Sequence, residues 1–195
     1  MPHYFITGVS SGIGRALVTK LCRDQNNVSG VARRAERLED LKTKNKSFYG
    51  MVCDVTEVSS LADCVSSAEK KLGNIDTAIL NAGIYEPQDG KDIEPSVYAK
   101  HMDTNYMGVI NALAPIIPSM IKRGTGHIAI IASAAGWRGL PKAAAYGPTK
   151  AALISLGESL YFDLKKTGVK LQVICPGFVD TEATSINNFY MPGLM

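Results

Sequence analysis

Short apolar runs rich in β-branched residues alternate along this chain with stretches whose apolar positions recur at helical spacing. The runs are HYFIT (3–7), VSGVA (28–32), SFYGMVCDV (47–55), IDTAIL (75–80), HIAIIAS (127–133) and VKLQVIC (169–175). Helical spacing covers 12–25, 34–44, 57–72, 95–123 and 143–167. Strands separated by helices need crossovers, and right-handed crossovers leave the strands parallel with helices on both faces. Runs as continuously apolar as IAIIA agree, because a strand covered on both faces has no polar side to show. The expected fold is α/β: one doubly wound parallel sheet, in a single domain over residues 1–195.

In such a sheet, ligands bind beyond the carboxyl ends of the strands. The first strand-to-helix bend is then the natural anion site, and here it reads TGVSSGIG. Unpaired N–H groups and the positive end of the following helix face an anion there. Glycine lets a diphosphate approach that backbone and tolerates positive φ. Gly8, Ser10, Ser11, Gly12, Ile13 and Gly14 are therefore candidate cofactor contacts, the two serines as hydroxyl donors. An ordinary glycine-rich turn is the plainer alternative.

Composition narrows the partners. With 46% hydrophobic and 20% charged residues, 195 residues suit one globular core. Net charge is +3 without a dense Lys/Arg run, and KTKNK (42–46) reads as a solvated helix end, so no nucleic-acid partner is expected. No run approaches the length of a bilayer span and no leader-like segment precedes the first run, so no membrane association is expected. Cys22, Cys53, Cys64 and Cys175 lack metal-ligand spacing, which points to free thiols in a reducing, cytoplasmic compartment and to no metal site. His3, His101 and His127 are isolated and expected to be structural.

The bend's spacing, G-x-x-x-G-x-G after Thr7, resembles the signature of the short-chain dehydrogenase/reductase family. Further matches follow in the family's order: LNAG (80–83), Asn105, Ser133, YGPTK with Tyr146 and Lys150, then Pro176 and Gly177. The resemblance covers nearly the whole chain. It implies a Rossmann-type sheet and an oxidoreductase that interconverts a carbonyl and a secondary alcohol on a small-molecule substrate. It further implies that Asp54 accepts from the adenine amino group with Val55 beside the ring. Asn81, Ala82 and Gly83 would underlie the adenosine ribose, and Pro176, Gly177 and Thr181 would flank the nicotinamide. Because relatives commonly pair through the two long helices, a homodimer or homotetramer is expected. Relatives also continue through another helix and a seventh strand, so a natural chain longer than 195 residues is expected.

The second run ends GVARR, with Ala32 where an NAD-selective relative carries an acidic residue. No carboxylate repels a 2′-phosphate there, and a guanidinium can grip one with paired hydrogen bonds. NADP(H) is the expected cofactor, with Arg33 as the main phosphate contact and Arg34 as the secondary one. The plainer alternative is that both arginines decorate a surface helix.

Tyr146 and Lys150 are four residues apart, on one helix face. A phenol's ordinary pKa is about 10, and a neighbouring ammonium is expected to draw it down. Such a phenol gives a proton to a carbonyl oxygen or takes one from an alcohol. Chance spacing is the alternative for the pair alone, but Ser133 ends a strand run 13 residues earlier. The resemblance makes Tyr146 the general acid/base and Ser133 the stabiliser of the substrate oxygen. It gives Lys150 the nicotinamide ribose and Asn105 a water in a proton relay. Pro148 is expected in the first helical turn, where a missing N–H is tolerated. Tyr85, Ala134, Trp137, Phe189 and Tyr190 are candidate pocket residues. The rival function is a catalytically silent NADP(H) sensor or scaffold, which has no use for a Tyr/Lys pair.

Overall fold

Every apolar run becomes a strand and every helical stretch a helix. The computed structural model describes residues 1–185, 191 and 193–195. In order, its elements are β1 (His3–Thr7), α1 (Gly12–Arg23), β2 (Asn27–Ala32), α2 (Ala35–Lys44), β3 (Phe48–Val52), α3 (Val58–Leu72) and β4 (Thr77–Leu80). Then come α4 (Pro95–Met102), α5 (Gly108–Arg123), β5 (Gly126–Ile131), α6 (Gly147–Leu164) and β6 (Val169–Ile174). The strands pair in parallel in the order β3-β2-β1-β4-β5-β6. The chain thus starts mid-sheet, builds outward one way, then crosses to β4 and builds the other way. The crevice left beyond β1 and β4 is where a doubly wound sheet binds its ligand.

Both faces of the sheet are covered. Adjacent residues of β1 show why: Phe5 and Ile6 point to opposite faces, and both are fully buried. Ile6 joins Val18 of α1, Leu38 and Leu41 of α2, and Phe48. Phe5 joins a larger core with Leu61 of α3, Ile116 of α5 and Leu153 of α6. Burial of these side chains at about 25 cal/mol per Å² is the main force holding helices to sheet.

Three elements depart from the expected bounds. The third run leaves the sheet after Val52, so Asp54 and Val55 lie in the turn, although the Cys53 N–H still bonds the Ala32 carbonyl at 3.0 Å. The stretch 95–123 is interrupted by a wide π turn, Asp103–Met107. The last helical stretch begins at Gly147, with Tyr146 at its cap and Pro148 in its first turn. Pro115 and Pro118 lie inside α5. Pro118 is exposed, as is Ala114, whose carbonyl loses its intrahelical partner there on a solvent-facing side of the helix. The buried histidines are structural, as read. His3 bridges the Gly73 carbonyl and the Ser29 hydroxyl, each at 2.7 Å. His101 Nε2 accepts the Glu86 N–H at 3.1 Å while Nδ1 meets the Val97 carbonyl at 2.7 Å. All four cysteines are free, and among the described residues no helix is long and apolar enough to cross a membrane.

Candidate active site

The glycine bend is tied to the neighbouring strand before any ligand is considered. Gly8 and Gly12 have φ of +75° and +53°. A Cβ on Gly8 would lie 2.7 Å from the Ala82 Cα, and one on Gly14 would lie 2.3 Å from the Gly8 oxygen. The Thr7 hydroxyl accepts the N–H groups of Asn81 and Ala82, both at 3.0 Å. Asn81 Nδ2 donates to the carbonyls of Thr7 and Gly8 at 3.1 and 3.2 Å. The Asn81 amide thus fastens β4 to the bend, and residues 81–83 line the cleft beside it. A backbone cradle that any Cβ would fill, at a helix N-terminus, suits a dinucleotide's diphosphate.

Around the far rim the side chains are charged. Arg34 donates to the Ser10 hydroxyl at 2.8 Å and to the Ser11 hydroxyl at 2.8 Å, leaning over the bend. Glu182 bonds both Arg34, at 3.4 Å, and Arg37. These pairs hold the Glu182 carboxyl below its usual range, Arg37 most strongly. Arg33 pairs with Asp54 at 3.6 Å. The other Asp54 oxygen accepts the N–H and hydroxyl of Thr56 at 3.1 and 3.0 Å. The Val55 side chain is buried: a Cβ on Gly108 would come within 2.6 Å of it, and Asn111 holds the Val55 carbonyl at 2.9 Å. Arg33, Asp54 and Val55 stand outside the lining of the central cleft.

At the near end, Ser133, Tyr146 and Lys150 meet on one wall. Ser133 follows β5, and its oxygen accepts the Ala135 N–H at 3.2 Å. Lys150 is buried, with Nζ donating to the Ile131 carbonyl at 2.8 Å and lying 5.5 Å from the centre of the Tyr146 ring. Burial in this poorly solvated wall pulls the Lys150 pKa down to about 8. The phenol departs from expectation. Burial pushes the Tyr146 pKa above its ordinary value, the Ser133 hydroxyl draws it back, and Tyr85 pushes it up again. The Lys150 ammonium is directed at the Ile131 carbonyl, and burial of the phenol dominates. Tyr85 meets Tyr146 edge-on, with ring centres 5.2 Å apart.

Asn105 sits in the π turn, fully buried. Its oxygen accepts the Ile84 N–H at 2.7 Å, and its Nδ2 donates to the Ile84 carbonyl at 3.0 Å and to Thr149 Oγ1 at 3.1 Å. Thr149 in turn donates to the Tyr146 carbonyl at 2.7 Å. The wide turn, a feature frequent at functional sites, thus places Asn105 as a clamp between the segment after β4 and the cap of α6. Sequence reasoning missed Thr149, Arg37, Glu182 and Asn111. Only Thr149, three residues from Tyr146, carried a local signal.

Pro176, Gly177 and Thr181 line the cleft, with the Thr181 methyl 3.2 Å from where a Gly12 Cβ would stand. Tyr85 and Ala134 line an adjoining cavity, whereas Trp137 is exposed and lines neither. Phe189 and Tyr190 lie outside the described residues.

Comparison with known proteins matches this arrangement. The family model described as short chain dehydrogenase matches residues 2–188. An uncharacterized oxidoreductase of Myxococcus xanthus is 36% identical over 194 residues, covering 97% of this chain and 77% of that protein. A putative ketoacyl reductase of Streptomyces coelicolor is 30% identical over 194 residues, covering 95% and 74%. Among solved structures, an actinorhodin polyketide ketoreductase with NADPH superposes with a TM-score of 0.90 at 28% identity, covering 95% of this chain and 74% of that one. A serine dehydrogenase complexed with NADP+ also gives 0.90 at 28% identity, covering 95% and 76%.

Proposed function

Because the chain belongs to the short-chain dehydrogenase family, we propose that it interconverts a carbonyl and a secondary alcohol with NADP(H), using Tyr146 as general acid/base. The observation that carries this is the shared wall of Ser133, Tyr146 and buried Lys150, which faces the same cleft as the glycine bend. The nicotinamide cofactor, when bound, supplies or accepts the hydride. The chain's own residues handle the oxygen. Tyr146 donates to the carbonyl oxygen during reduction, and the Ser133 hydroxyl steadies that oxygen. Lys150 places its ammonium beside the phenolate that the transfer leaves behind. Asn105 and Thr149 keep the cap of α6, and so Tyr146, in register with the cleft.

Preference for NADP(H) is supported by the far rim. β2 ends at buried Ala32 without a carboxylate, and Arg34 leans over the bend with Arg37 behind it. The family reading carries with it a homodimer or homotetramer, for which the exposed Tyr161 and Phe162 of α6 are the support. The decisive experiment is Tyr146→Phe, assayed on a panel of ketones with NADPH. NADPH binding should persist while turnover falls roughly 1,000-fold, the middle of the range for general acid/base catalysis. Undiminished turnover would refute the assignment.

A further inference from the structure

The wall carrying Ser133 and Tyr146 has a second side. A smaller cavity adjoins the cofactor cleft, and the two share Tyr85, Ser133, Tyr146, Pro176, Gly177, Ala183 and Thr184. Away from that seam it is closed by Ala134, Leu140, Pro141, Ala143 and Phe178. Among the described residues that line it, none carries a formal charge. The Thr184 hydroxyl reaches it but is already committed. It donates to the Val179 carbonyl at 2.6 Å and accepts the Thr181 N–H at 3.0 Å. The other polar side chains in the lining, Ser133, Tyr146 and Tyr85, all stand on the seam. The cations nearby are turned elsewhere. Lys150 bonds the Ile131 carbonyl on the cleft side, and Arg138 and Lys142 are exposed outside the lining.

A carbonyl oxygen that must reach both Ser133 and Tyr146 has to sit at this seam. Its carbon substituents then extend into the apolar side. Apolar groups gain from that burial, whereas a charge placed there would be desolvated with no partner. We propose that this cavity is the substrate pocket and that it selects uncharged ketones with apolar substituents, and their alcohols, against compounds bearing a carboxylate, phosphate or ammonium near the carbonyl. The proposal rests on the carbonyl–alcohol reading above. A free amino acid, with two charges beside the reacting carbon, is excluded on the same ground.

Ethyl levulinate and levulinate test it, because they present the same ketone with and without a carboxylate. With NADPH, the ester should show kcat/KM about 100-fold or more above the acid, since an unpaired buried charge is strongly disfavoured. Comparable values for the two would overturn the proposal. Ligand-observed NMR on the NADP+-loaded protein gives a second readout that needs no turnover. The ester should bind and levulinate should not, and Ala143→Phe, which fills the cavity without adding charge, should abolish the ester signal. If the ester binds in this pattern but neither compound is reduced, the pocket assignment stands and the catalytic reading fails. If levulinate binds as well as the ester, if neither binds, or if Ala143→Phe leaves the signal intact, the pocket assignment fails.

Discussion

The two ends of the cleft are held by different chemistry. At the far rim, Arg33, Arg34 and Arg37 face Asp54 and Glu182 in pairs that water reaches. At the near end, Asn105, Thr149 and Lys150 are buried, and every bond that holds them is made to a carbonyl, a hydroxyl or an N–H. Exposed ion pairs add little stability and are screened by salt. Buried hydrogen bonds are expensive to leave unmade. The contrast teaches that the far rim can exchange its partners for those of a ligand, while the near end holds its side chains in place.

Among changes that probe this contrast, the largest effect should come from removing the buried charge. Lys150→Met should lower turnover about 100-fold or more, by analogy with the loss of other preorganised electrostatic groups, without lowering the melting temperature. The ammonium has one carbonyl partner and stands in a desolvated wall, so an apolar replacement should be tolerated. Its pH signature has a definite sign. With a folded pKa of about 8 and an unfolded value near 10.5, the unfolded chain binds more protons between those values. Wild-type stability should therefore rise relative to Lys150→Met from pH 8 to pH 10, by at most about 3 kcal/mol. Denaturant melts at both pH values check this; a falling difference would contradict the buried-ammonium picture.

Next in size is Asn105→Ala, which strips partners from Ile84 and Thr149. Unfolding free energy should drop by about 2 kcal/mol, the scale for orphaned buried groups, and turnover should fall with it. Far-rim changes should behave in the opposite way. Arg34→Ala should weaken NADPH binding roughly tenfold at low salt, with a smaller loss at high salt, and leave stability within about 0.5 kcal/mol. Destabilisation comparable to Asn105→Ala would erase the distinction between the two ends. Smallest of all, Glu182→Gln removes a carboxylate that competes for Arg34 and Arg37. NADPH should bind about threefold more tightly, the scale of an exposed ion pair, and NADH affinity should hold. Titration of both cofactors by fluorescence separates the cases.

Much of the near end was legible from the residues alone. Ser133, Tyr146 and Lys150 were expected together, and Pro148 was expected in the opening turn of α6, where it stands. The part that was not legible is instructive. The Asn105 amide grips Ile84 and Thr149, the latter 44 residues away, and no local pattern announces that pairing. Which of the two arginines lies over the serines was not legible either: Arg34 donates to both hydroxyls, while Arg33 pairs with Asp54. Those two neighbours differ only in which way the backbone turns as β2 gives way to α2. Glu182 lies 145 residues from Arg37, and no spacing rule joins them.

By itself the sequence determined the alternation of strand and helix, the glycines at the first bend, and the one-turn spacing of Tyr146 and Lys150. Each depends on periodicity or backbone sterics within a few residues, where local physics suffices. Only the tertiary structure decided which arginine reaches the bend, what Asn105 clamps, and that burial raises the Tyr146 pKa. Those outcomes depend on burial and on partners brought from distant parts of the chain, because solvent exclusion sets both the strength of a charge and the penalty for leaving a polar group alone.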